Sequence, residues 1–142
     1  MEWENIPENI EKYFGFVYLI ERLNAKEREK KFYWGCKQFF SKLTKPPLKG
    51  KTRKRKITKE SDWRSYYGSS KELIVDIEKH GKHNFKRTIL LCCVSKWQMK
   101  YEELKYQIDN NVLFRDDAYN GIIHIRLNRV PRDMKFFYQS NI

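Results

Sequence analysis

Two apolar runs constrain the fold more than anything else in this chain. Residues 15–20 read GFVYLI and residues 31–36 read KFYWGC. Both are rich in β-branched and aromatic side chains, the composition of strands rather than helices. Residues 21–30 between them are mostly charged and include Asn24, which suits an exposed turn. Consecutive strands with a short link pair antiparallel more readily than in any other way, so a hairpin is predicted. In the pleat, residues of one parity share a face, and opposed side chains on adjacent strands come within about 5 Å. Tyr18 on the first strand and Tyr33 on the second can therefore meet.

Further along, Ser69 and Ser70 can cap a helix that runs through Leu73, Ile74 and Ile77 to about His80, with Gly81 as a left-handed stop. Leu73, Ile74 and Ile77 share one face of it, and His80 is placed where the helix dipole favours a cation. Residues 85–94 read as a buried strand, and residues 96–110 as a helix that presents Met99, Leu104 and Ile108 inward. The order strand, strand, helix, strand, helix defines a small mixed α/β or α+β domain. A chain of 142 residues and 17.4 kDa can close one core but not a second, so a single domain over residues 1–142 is expected.

Charge narrows the class of partner. Thirty Lys and Arg against 18 Asp and Glu leave a formal +12 and a pI near 9.6, which points to a polyanion. Nine of those cations fall in residues 42–59 with no acidic residue among them, alongside Pro46, Pro47 and Gly50. That stretch is expected to be a mobile loop. Within it, Lys49, Lys51, Arg53, Lys54, Arg55 and Lys56 are the candidates for binding phosphate. The tail from 125 to 142 is basic and aromatic, with Arg126, Arg129, Arg132, Phe136, Phe137 and Tyr138, and is expected to pack on the core.

Three cysteines, Cys36, Cys92 and Cys93, form neither a zinc half-site nor a disulfide framework, so a reducing cytoplasm is expected. The first 14 residues are acidic and lack the apolar centre of a secretory signal. The longest apolar run, residues 89–94, is far too short for a membrane span, and no membrane partner is expected. His80, His83 and His124 show no metal-ligand spacing.

The two strands carry the triplets FVY at 16–18 and YWG at 33–35. They are followed by YYGSS at 66–70, DIEKHGKHNF at 76–85, the helical pair Glu102 and Glu103, and YNG at 119–121. In this order the blocks resemble the GIY-YIG nuclease superfamily, and they are most similar to the GIY-YIG domains of phage homing endonucleases. The similarity spans residues 14–123. It implies an α+β domain with a central three-stranded antiparallel sheet flanked by helices, carrying a basic insertion at 41–60 and the tail at 125–142. Two departures stand out: the interval between the triplets is longer than is commonest in the family, and the basic segment is inserted where the family usually carries its arginine on the first helix.

The resemblance also assigns roles. In-line cleavage of a phosphodiester needs a deprotonated water, stabilisation of the charged transition state and help for the departing oxygen. A tyrosine of pKa about 10 is a poor base at neutral pH and needs a nearby cation to lower that value. By resemblance Tyr18 is the general base, Glu103 anchors one divalent cation, Mg²⁺ or Mn²⁺, on the phosphate, and Tyr33 orients water or phosphate beside them. Glu103 rather than Glu102 matches the register of the family's glutamate helix, and Glu102 is then expected to face solvent. Arg64 and Lys37 are the candidates for the transition-state cation, with Arg64 preferred because a guanidinium holds two phosphate oxygens at once. Tyr67 is expected to fill the aromatic or imidazole position after that arginine. Asn120 is expected to buttress the site, although locally it reads equally as an αL turn residue before Gly121.

The function implied is a metal-dependent DNA endonuclease of phage or mobile-element type. A basic DNA- or RNA-binding module without catalysis is the rival class, and a restriction or repair nuclease on structured DNA is the rival within the enzyme class. The chain has no room for a separate recognition module, so modest sequence specificity is expected unless a homodimer extends the footprint.

Overall fold

The computed structural model of the protein describes residues 2–139, apart from the side chains of Phe136 and Gln139. Part of the tail considered above, Phe136 and residues 140–142, therefore lies outside the described residues. The predicted hairpin is formed by β1, Gly15–Arg22, and β2, Phe32–Gln38, paired antiparallel with Tyr18 opposite Gly35 and Ile20 opposite Tyr33. The third strand of the sheet, β5, Phe85–Cys93, pairs antiparallel with the other side of β1, giving the order β2-β1-β5 with the most apolar strand at the centre. Helices flank this sheet, so the protein is an α+β domain with a three-stranded antiparallel core.

Alternation along β1 sends its side chains to two different cores. Phe16, Tyr18 and Ile20 face a layer made by Trp3, Phe39, Trp63, Tyr119 and the helix α1, Lys71–His80, which contributes Leu73 and Ile77. Each aromatic ring buried this way removes roughly 150–250 Å² from water, on the order of 4–6 kcal/mol before conformational entropy is set against it. Val17, on the opposite face, meets Met99 of the helix α2, Lys96–Asp109.

Both helices are capped as their sequences dictate. Ser70 accepts from the Leu73 amide and Ser95 from the Gln98 amide. Gly81 closes α1 with φ +87° and ψ +145°, a region reserved for glycine rather than the left-handed helical one expected.

Three expectations are corrected. Ile74 is 40% exposed and does not join Leu73 and Ile77 on the core face. On α2, Ile108 is 56% exposed and Leu104 is only half-buried, while Gln98, Met99 and Gln107 turn inward. The inner face of α2 is thus partly polar, and an apolar stripe does not locate it. The basic segment is not a loop. It forms an antiparallel ribbon of β3, Phe40–Lys45, and β4, Arg55–Glu60, in register from Phe40 opposite Glu60 to Lys45 opposite Arg55. Its root is clamped by Ser61, whose amide donates to the Phe39 carbonyl and whose hydroxyl donates to that of Gln38.

A last helix, α3, Arg132–Gln139, docks on α2: the Tyr138 hydroxyl donates to Glu102, and its ring lies against Trp97 and Tyr101. Glu102 is accordingly tied to the tail instead of facing solvent. Among the described residues no helix is long and apolar enough to cross a membrane.

Candidate active site

Among the described residues the edge of β2 away from β1 has no further strand, and at Trp34 its backbone is satisfied by side chains instead. The Asn120 amide accepts from the Trp34 amide at 3.0 Å and donates to the Trp34 carbonyl at 2.7 Å, copying the two bonds a neighbouring strand would make. Gln107 donates to the same carbonyl at 3.1 Å. The chain just before Asn120 runs beside the start of the strand, with Tyr119 N–H donating to the Phe32 carbonyl. Positive φ among described non-glycine residues occurs at Asn5, Arg28 and Asn111, so Asn120 is a buried clamp rather than an αL turn residue.

Clamping the residue between Tyr33 and Gly35 fixes the whole triplet. Replacing Asn120 by Ala strands the buried Trp34 N–H, which should cost about 2 kcal/mol and lower the melting temperature by roughly 5–10 °C. A circular-dichroism melt that is unchanged in the variant would remove Asn120 from this role.

Along this edge opens a cleft of about 340 Å³ whose wall includes Tyr33 and Ser69 from one layer and Glu103, Gln107 and Asn120 from the other. Tyr33 and Ser69 share a hydroxyl–hydroxyl hydrogen bond of 3.0 Å. Burial raises both the Tyr33 phenol and the Cys36 thiol, taking Cys36 up to about 12, and the nearby Glu103 carboxylate pushes each in the same direction.

Tyr18 lies behind this wall and is only 1% exposed, its ring centroid 6.1 Å from that of Tyr33 and 6.1 Å from that of Tyr66. Its hydroxyl lies over Gly35, where a Cβ would stand 2.5 Å from the oxygen. This is why the second triplet ends in glycine. Burial holds the Tyr18 phenol well above its ordinary value, with the neighbouring Tyr33 and Tyr66 adding to the effect. Both phenols are raised, so the protein's own side chains do not lower either of them.

The two candidate cations part company. Lys37 places Nζ 4.2 Å from the Tyr66 ring centroid and pairs with Asp62 at 2.7 Å, in the aromatic layer that holds Tyr18. Arg64, the preferred candidate from sequence, pairs with Glu60 at 2.9 Å, lies over Trp63 and lines a different hollow with Trp3 and Arg87. Its side chain is 63% exposed and, like that of Lys37, does not wall the cleft. Tyr67 is likewise turned away, beneath the Arg87 guanidinium at 4.0 Å. The ring that meets Tyr18 is Tyr66, its chain neighbour. The 3-10 turn Trp63–Ser65 just ahead of them removes the simple parity that would have chosen between the two. Ser69 and Gln107 are further wall residues that no sequence signal singled out for the site.

Among the described residues no cluster of three or more His, Cys, Asp or Glu is placed to hold a metal. Among the described residues that line the cleft, Glu103 is the one with a carboxylate. That suits a hard cation such as Mg²⁺, which keeps most of its water and is held by one or two carboxylates together with a substrate phosphate.

A sequence model of the SegE GIY-YIG domain family, described as "Putative endonuclease segE, GIY-YIG domain", matches residues 2–123. No curated protein and no solved structure matches the chain. The matched span contains both triplets, the ribbon, α1, β5, α2 and Asn120, and ends before α3.

Proposed function

Because the chain belongs to the SegE GIY-YIG domain family, whose description names an endonuclease, we propose that it hydrolyses DNA phosphodiesters in the cleft walled by Tyr33 and Glu103, using one Mg²⁺ or Mn²⁺. The observation that carries this reading is the shared cleft itself: a phenol from the sheet and a carboxylate from α2 line one opening, wide enough for a phosphate, at the clamped edge of β2. The close likeness of the motif blocks to phage homing domains supports an enzyme of the phage or mobile-element kind.

In this reading Glu103 holds the cation, which when bound neutralises phosphate charge and makes a coordinated water more acidic. Tyr33, as the phenol on the wall, meets the attacking water or the phosphate, and Ser69 fixes the direction of its hydroxyl. Tyr18 positions Tyr33 from behind, a different division of labour from the one the resemblance implies, and one favoured by its burial. Lys37 supplies positive charge to the aromatic layer and Asn120 holds the triplet in register. Arg64 is left to meet DNA outside the cleft.

The pH profile tests the phenol. A proton acceptor whose pKa is raised above 10 gains about tenfold in its ionised fraction with each pH unit. Cleavage should therefore climb from pH 6 to pH 9 without levelling, and Tyr33→Phe should lower it by about a hundredfold and flatten the climb. A plateau reached below pH 8, or an unchanged slope in Tyr33→Phe, would give the proton to another group.

A further inference from the structure

The ribbon β3–β4 is exposed along nearly its whole length, with every residue from 42 to 56 exposed. It carries nine cations between residues 42 and 59 and no carboxylate in that span. Its register sorts the side chains into two faces. Phe40, Lys42 and Thr58 lie on one face and, together with Ser41 at the root, share a hollow with Tyr13 and Val94 of the body. The other face carries the opposed pair Leu43 and Ile57, flanked along the strands by Ser41 with Lys59 and by Lys45 with Arg55. Leu43 is 42% exposed although it is apolar and sits at the middle of the ribbon. Ile57 opposite it is partly exposed, and solubility alone does not explain an apolar pair that reaches solvent between cations on both sides.

Resting on the nuclease reading above, we propose that this ribbon is a groove-inserting DNA clamp: Lys45, Arg55 and Lys59 take backbone phosphates while Leu43 and Ile57 meet sugars and base edges in the major groove of a B-form duplex. The fit follows from shape. The major groove of B-DNA, about 12 Å wide, admits a two-stranded β-ribbon, and apolar side chains there meet the thymine methyl. The deep, narrow major groove of A-form RNA does not admit one.

The ribbon also grows directly out of the strand that carries Tyr33. Phe40 lies seven positions beyond Tyr33, at most roughly 23 Å of extended chain, and the root is fixed by Phe39, which is fully buried against Trp63 with ring centroids 5.0 Å apart. A duplex held by the ribbon is thereby held at a set distance from the cleft.

The test is made in the Glu103→Gln background, so that binding is read without cleavage and survives as a measurement even if the nuclease reading fails. Binding of a B-form DNA duplex is followed against salt. The triple variant Lys45→Gln, Arg55→Gln, Lys59→Gln should reduce the slope of log K against log[salt] by about 2 to 3, given about 0.9 for each phosphate no longer neutralised. A control triple on other surfaces, Lys26→Gln, Lys71→Gln, Lys105→Gln, should reduce it by less than about 1 on the same scale. Leu43→Ser, which keeps every charge, should weaken binding several-fold with the slope unchanged. Equal slopes for the two triples, a Leu43→Ser variant that binds as the parent does, or the same ribbon dependence on an A-form RNA duplex would each overturn the proposal.

Discussion

Replacing Glu103 by Gln should reduce plasmid cleavage by about a thousandfold, the consequence of losing about 4 kcal/mol of transition-state stabilisation when the cation loses its protein anchor. DNA binding should be retained, since the cations that grip the backbone lie elsewhere. The adjacent glutamate is the control. Glu102 sits one position along the same helix but accepts a hydrogen bond from Tyr138 and lines a hollow with Trp97 and Tyr101 on the far side. Glu102→Gln should loosen the tail and leave cleavage close to the parent rate. Equal losses from the two substitutions would mean that α2 contributes general charge and no specific ligand.

The second large effect is expected at Gly35. A Cβ there would lie 2.5 Å from the Tyr18 hydroxyl oxygen and 2.7 Å from the ring carbon that bears it. Neither the strand backbone nor a fully buried ring has room to yield, so Gly35→Ala should destabilise the protein by about 1–3 kcal/mol. A displacement of about 1 Å in a positioning group costs about a hundredfold in rate, and cleavage should fall accordingly. Gly121 ends the last of the motif blocks in the same way, yet a Cβ added there meets nothing within 4 Å. Gly121→Ala should therefore leave the melt unchanged. The contrast is measured by melting and cleaving the two variants side by side, and a Gly35→Ala protein as active as the parent would mean that Tyr18 has no fixed place in the site.

What could be read in the sequence, and what could not, follows from where each signal originates. The hairpin β1–β2 was legible because strands that pack on two cores must be apolar almost throughout, as residues 15–20 are. The ends of α1 were legible because Ser70 and Gly81 act locally. The sequence of the ribbon β3–β4 resembles a loop because both faces are exposed, so no alternation of apolar and polar residues marks its strands, and because Pro46, Pro47 and Gly50 occupy its tip. The inward face of α2 escapes an apolar pattern because Gln98 and Gln107 are buried for their hydrogen bonds, with the Val94 amide and the Trp34 carbonyl. The Gln107 bond joins residues far apart in the chain, where no local pattern reaches. The same holds for Ser69 and Tyr66, whose partners Tyr33 and Tyr18 are distant in the chain, whereas Arg64 is held outside the cleft by a local contact, its ion pair with Glu60 four residues before it.

The central claim is that one cleft, with Tyr33 on one wall and Glu103 on the other, breaks the DNA backbone with the help of a divalent cation. Supercoiled plasmid incubated with the protein in Mg²⁺ and, in parallel, in EDTA addresses it directly. Nicked or linear DNA should appear in Mg²⁺ alone and should be absent with Glu103→Gln. Plasmid that is tightly bound, with a steep dependence on salt, yet stays supercoiled in both Mg²⁺ and Mn²⁺ would contradict the account and leave a binding module in its place.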